Sequence, residues 1–110
     1  MTKSFARVFS CPVELTLEVI GGKWKAVILA HLKEGPRSYG ELRRLVPRMS
    51  EKMLTQRLAE LTAIGLVAKK TKYVLTARGR SLSRVLGELY VWGESIAPTL
   101  GARIEPPTVR

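Results

Sequence analysis

The chain has 110 residues, 45% of them hydrophobic, with nineteen Lys and Arg against nine acidic residues and a net charge of +10. That length fits a single domain, taken as residues 1–110, and no run of eighteen apolar residues is present to cross a membrane. Every acidic residue is Glu, and with no Asp, one His and one Cys the usual catalytic sets and metal-ligand clusters are hard to assemble. No enzyme, cofactor or metal centre is expected.

The opening MTKSFARVFSCP lacks the apolar core of a secretory signal. The single Cys11 excludes an intrachain disulfide, so the expected location is the reducing cytoplasm. Pro12 can open a first helix, with Leu15, Val19 and Ile20 on one side, and Gly21-Gly22 breaks it. A second helix follows through KWKAVILAHLK, where Trp24, Val27, Ile28, Leu29 and Leu32 are apolar nearly all round. That pattern predicts a central, buried helix. Gly35-Pro36 stops it. Ser38 with Glu41 three residues on forms a capping box for a short third helix ended by Pro47.

Ser50 caps a fourth helix running to Ile64, with Gly65 after it. Leu54, Leu58 and Leu61 share one face, and Lys52 and Gln56 lie opposite, flanked by Thr55 and Arg57. LVAKK and KYVL around Thr71 predict a small β-hairpin. Thr76 then caps a last long helix carrying a stripe of Leu82, Val85, Leu86, Leu89, Trp92 and Ile96. Pro98 is expected to end it, leaving an extended or frayed tail over 98–110 with Pro106-Pro107. The sequence therefore predicts a mainly α fold with a small β-hairpin. A short helix, a tight turn, a longer helix and a hairpin in this order make a winged helix-turn-helix.

Charge coincides with that unit. From Arg37 to Arg80 there are eleven bases and three acids, so most of the net charge lies there, which favours a polyanion as partner.

Cys11-Pro12, GGKW at Gly21 to Trp24, SYGELRR at Ser38 to Arg44, LTQRLAEL with GLV between Leu54 and Val67, and LTARGRSL at Leu75 to Leu82 occur in this order. The stretch from about 11 to 97 resembles the HxlR-type family of bacterial and archaeal transcriptional regulators, relatives of the MarR group. The resemblance implies a homodimeric winged-helix binder of double-stranded DNA, with recognition helix Ser50 to Ile64 and dimer contacts from the terminal helices. One departure concerns the wing: only AKKTKYV lies between Val67 and Leu75, where the family usually has a longer segment.

Lys52, Thr55 and Gln56 are expected to face bases or phosphates, and Ser50 with the first-turn amides can hold a phosphate. Arg57 fits either a DNA contact or a pair with Glu60 on the same helix. Arg37, Ser38 and Arg44 are expected on the DNA backbone. Lys69, Lys70 and Lys72 would join them from the hairpin, or else serve as a charged edge that blocks strand pairing. The long apolar stripe assigns Leu15, Leu86, Leu89, Trp92 and Ile96 to a dimer interface. Cys11 is a candidate redox sensor, since some members of the resembled family sense oxidants there and a helix N-terminus raises thiol reactivity. Its alternative is a small buried packing residue. An effector pocket fits between the dimer arms and the DNA-binding unit, and no residue specifies its ligand. Two rival functions use the same features: a nonspecific architectural nucleic-acid binder and a winged-helix protein-interaction module.

Overall fold

The structure, a computed structural model, describes residues 4–105. Its elements are α1 (Pro12–Ile20), α2 (Lys25–Lys33), α3 (Tyr39–Leu45), α4 (Glu51–Ile64), β1 (Val67–Lys69), β2 (Tyr73–Leu75), α5 (Ala77–Arg80) and α6 (Ser83–Leu100). Strands β1 and β2 pair antiparallel, with Val67 opposite Leu75 and Lys69 opposite Tyr73. The mainly α fold with one small hairpin is as the sequence predicts. The expected features at Pro106-Pro107 lie outside the described residues.

Apolar burial organises these elements. Ile28, Leu29, Leu42, Met49, Leu54 and Leu61 are fully buried, and α2 sits at the centre, packed on α4, β2 and α6. Among the described residues, none that is buried is polar or charged, so no desolvated polar group weakens this core. Val27 departs from the expected all-round burial of α2, being 39% exposed on its outer side. Trp24 caps α2 in the left-handed region at φ 87°, a conformation that costs a bulky residue of the order of 1–3 kcal/mol. Its ring packs partly buried against the core, which offsets that cost.

Helix ends follow local chemistry. Ser38 and Glu41 complete their capping box, with Ser38 Oγ accepting from the Glu41 amide at 3.0 Å and Glu41 Oε1 accepting from the Ser38 amide at 2.7 Å. Ser50 Oγ accepts from the Met53 amide at 3.1 Å, and Gly65, at φ 88°, closes α4. Arg78 lies across that closure, its Nη1 donating to the Ile64 carbonyl at 2.9 Å.

Two expectations need correction. Thr76 caps only the four-residue α5, because the chain tightens after it: Ser81 and Leu82 donate back three residues, to Arg78 and Gly79. The long helix starts afresh at Ser83. Pro98 does not end α6, which runs on to Leu100. Proline's fixed φ is helical, and the helix stops at Gly101, at φ 70°.

The hairpin is held on its open side. Arg37 and Tyr73 exchange backbone hydrogen bonds, at 3.1 and 2.8 Å, so the residue before the capping box serves as a third rung. Beyond it, Gly79 brings α5 against the end of the β1 approach. A Cβ there would lie 2.1 Å from the Leu66 carbonyl oxygen. Gly79→Ala is expected to destabilise the chain by about 1–3 kcal/mol, read as a lower urea midpoint at unchanged slope.

Candidate nucleic-acid interface

Helices α3 and α4 meet across the turn at 46–50, and two side chains of α3, Arg43 and Tyr39, fix their angle. Arg43 Nη1 donates to the Met49 carbonyl. Tyr39, the first residue of α3, reaches the first turns of α4, with its Oη 3.1 Å from the Glu51 carbonyl and 3.0 Å from Thr55 Oγ1. Burial of Leu54, Leu58 and Leu61 sets the rotation of α4, so Lys52, Thr55 and Gln56 stand exposed on its outer side beside the exposed cap Ser50.

Arg57 is placed differently. Its Nε donates to the Lys23 carbonyl at 3.0 Å and its Nη1 pairs with Glu60 at 2.7 Å, leaving the side chain 18% exposed. It ties α4 to the loop before α2. The Glu60 partner was readable at i+3, whereas the Lys23 contact arises only from the folded α1–α2 loop.

The hairpin lysines divide. Lys72 Nζ lies 3.2 Å from Glu41 Oε1, so the capping carboxylate of α3 also holds the base of the wing turn. Lys69 sits over the Tyr73 ring, 5.2 Å from its centre, and Lys70 is exposed at the tip. Arg37, partly buried, donates from Nε to the His31 carbonyl at 3.4 Å. Arg44 is exposed at the end of α3, and Ser38 is spent on its cap. Tyr39 and Glu41 thus brace the helix pair and the hairpin, though neither was among the expected site residues. A partner across two helices leaves no local pattern.

A capped short helix, a tight turn, an exposed polar face on the next helix and a basic hairpin define a winged helix-turn-helix. The model of the HxlR-like helix-turn-helix family matches residues 19–100. The chain belongs to that family. It is a DNA-binding regulator of transcription with a winged helix-turn-helix. The HTH-type transcriptional regulator YtcD of Bacillus subtilis (strain 168) is 47% identical over 93 residues, covering 77% of this chain and 74% of YtcD. The solved redox regulator HypR in its reduced form superposes with a TM-score of 0.77 at 38% identity, covering 83% of this chain and 98% of HypR. The quinone-bound YodB from B. subtilis superposes with a TM-score of 0.69 at 32% identity, covering 77% and 99%.

In this HxlR-like chain the residues expected at a dimer interface separate. Leu89 and Trp92 are 50% and 65% exposed on α6, Leu15 is 37% exposed on α1, and Ile96 is partly buried. Leu86 is a correction: it is 3% exposed and belongs to the monomer core, because α6 turns that position inward as it packs on α2. Cys11 is exposed in the single chain, immediately before α1. Glu14 turns back there, accepting from the Ser10 amide at 2.6 Å and the Ser10 hydroxyl at 2.8 Å. A cavity of about 540 Å3 lies between α1 and α4, lined by Leu17, Glu18, Lys25, Gln56, Glu60 and Ile64 among others. Among the described residues, no helix is long and apolar enough to cross a membrane, and no group of three or more His, Cys, Asp or Glu could hold a metal ion.

The Ser38 amide, and after it the hydrogen bond from Lys72, hold the Glu41 carboxyl below the ordinary glutamate value of 4.5. Folding thus lowers the Glu41 pKa. Its stabilising contribution is present above the unfolded value and disappears as pH falls through the folded one. Glu14 is lowered in the same sense by Ser10. Glu41→Gln is expected to lower the urea midpoint at pH 7 and to lose less on acidification from pH 7 to about pH 3 than the wild type does.

Proposed function

We propose that the chain regulates transcription by binding a pseudo-palindromic operator as a homodimer, one α4 in the major groove of each half-site. The observation that carries this is the outer side of α4. Lys52 and Gln56 stand on the face opposite the buried leucines, with exposed Thr55 on its flank, next to an N-terminus capped by Ser50. Lys69 and Lys70 extend the basic surface along the wing, and Arg37 and Arg44 flank it as contacts to the DNA backbone. Ser38 contributes by setting the start of α3. Arg57 acts mainly by holding α4 in place through Lys23 and Glu60.

Dimerisation rests on the exposed apolar side of α6, Val85, Leu89 and Trp92, continued by Leu15 and Leu17 on α1. Two such copies would set the half-sites about one helical turn apart, ~34–36 Å, or a multiple of it. The setting is the cytoplasm, and the role is regulatory rather than catalytic. Cys11 responds to oxidants or electrophiles. Its exposure at the head of α1 supports this, as does similarity to HypR, solved in oxidized and reduced forms, and to quinone-bound YodB.

Binding-site selection from random DNA followed by competition tests this reading. Operator binding is expected to exceed nonspecific binding by at least ~10³. Gln56→Ala should relax one base position at a cost of about 1–3 kcal/mol, and Lys52→Ala should reduce the salt slope by about 1. Equal affinity for all sequences would favour an architectural binder instead, and a flat salt dependence a protein-interaction module.

Diamide or a quinone should change operator affinity of the wild type and leave Cys11→Ser unaffected, measured by gel shift. An equal response of the two proteins would remove the thiol from the mechanism.

A further inference from the structure

Thr55 differs from Thr16 and Thr62, whose hydroxyls bond within their own helices. Thr16 and Thr62 each donate to the carbonyl four residues before them, Pro12 at 3.0 Å and Leu58 at 2.8 Å. The corresponding carbonyl for Thr55 is Glu51, and Tyr39 Oη occupies it at 3.1 Å. A carbonyl only accepts, so the single Tyr39 proton is given to Glu51. Tyr39 Oη also lies 3.0 Å from Thr55 Oγ1 and has no second proton, so Thr55 is the donor of that bond. The Thr55 proton therefore points back toward α3. Toward solvent, from an exposed position on α4, the hydroxyl offers lone pairs alone.

We infer that Tyr39 makes Thr55 an acceptor-only reader, so that α4 selects an amino base over a keto base at the strand position facing Thr55. Adenine N6 and cytosine N4 present donors in the major groove, whereas guanine O6 and thymine O4 present acceptors. Every base pair holds one amino and one keto base, so the selection fixes which strand carries which. To read guanine or thymine, Thr55 would have to withdraw its proton from Tyr39 and leave that oxygen with one bond fewer. Tyr39 is a positioning residue in this arrangement and acts through Thr55. The inference rests on the proposal that α4 enters the major groove.

The test is binding-site selection from random DNA with the full-length chain as wild type, Tyr39→Phe, Thr55→Val and Gln56→Ala. Wild type should show one position per half-site where adenine or cytosine on one strand is preferred by roughly fivefold, the ratio expected for about one hydrogen bond. Thr55→Val should flatten that position and no other. Tyr39→Phe keeps the ring but frees the Thr55 proton, so the same position should accept guanine and thymine within about twofold while the remaining positions hold. A general loosening of α4 would weaken all positions together, which separates positioning from structural damage. A preference for guanine or thymine at the Thr55 position, or an amino preference that survives Tyr39→Phe, overturns the inference. If Gln56→Ala relaxes a position and Thr55→Val relaxes none, the inference fails while groove entry by α4 stands. If neither changes any position, groove entry itself fails.

Discussion

Leu54, Leu58 and Leu61 decide which way α4 faces, and the rest of the interface follows from that rotation. With successive residues turned by about 100°, burying three leucines on one side leaves no freedom over which residues stand opposite. Lys52, Thr55 and Gln56 are outward because the leucines are inward against α2 and β1. The core they enter is wholly apolar among its described buried residues, so the orientation is set by area removed from water and not by a buried polar pair. Polar contacts then refine the placement at the rim. Tyr39, Arg43 and Arg57 each bind a backbone carbonyl on a neighbouring segment, and together they hold α4 at both its start and its middle.

These contacts change the meaning of the positive charge. Arg37, Arg43, Arg57, Arg78 and Arg80 each donate to a backbone carbonyl, and Lys72 pairs with Glu41. Much of the basic stretch therefore braces the winged unit from within. A guanidinium has five N–H donors, so bracing with one or two leaves others for phosphate, but from fixed places. The charge is thus both field and scaffold: it raises the local potential for a polyanion while setting the distance between wing and helix pair.

Helix positions and caps were legible because their causes are local. Ser38 with Glu41, Ser50 before the leucine repeat and Gly65 after it act within four residues, and each lies where expected. The pairing of Arg37 with Tyr73, the reach of Tyr39 to Thr55 and the hold of Arg57 on Lys23 join segments 16 to 36 residues apart, and no periodicity announces them. Leu86 shows the same limit within one helix. The stripe on α6 is wide enough to serve two surfaces, and only the packing of α2 tells which leucines belong to the core. At Pro98 the fixed φ of proline is itself helical, so α6 forgoes the bond to the Glu94 carbonyl and still carries Thr99 and Leu100 before Gly101 stops it.

Arg78 has a consequence for α4 as a whole. Its guanidinium rests on the Ile64 carbonyl, at the end of the helix where the backbone dipoles leave partial negative charge. At the opposite end, Ser50 satisfies one of the first-turn amides that lack a partner within the helix. Both ends of α4 thus meet an opposite charge from the chain itself, Arg78 at the last carbonyls and Glu51 in the first turn. The helix is complete and oriented before any DNA arrives, so little ordering entropy remains to be lost on binding. On the proposed entry of α4 into the groove, preorganisation of this kind would favour a slow release, while the surrounding charge would govern how quickly the groove is found.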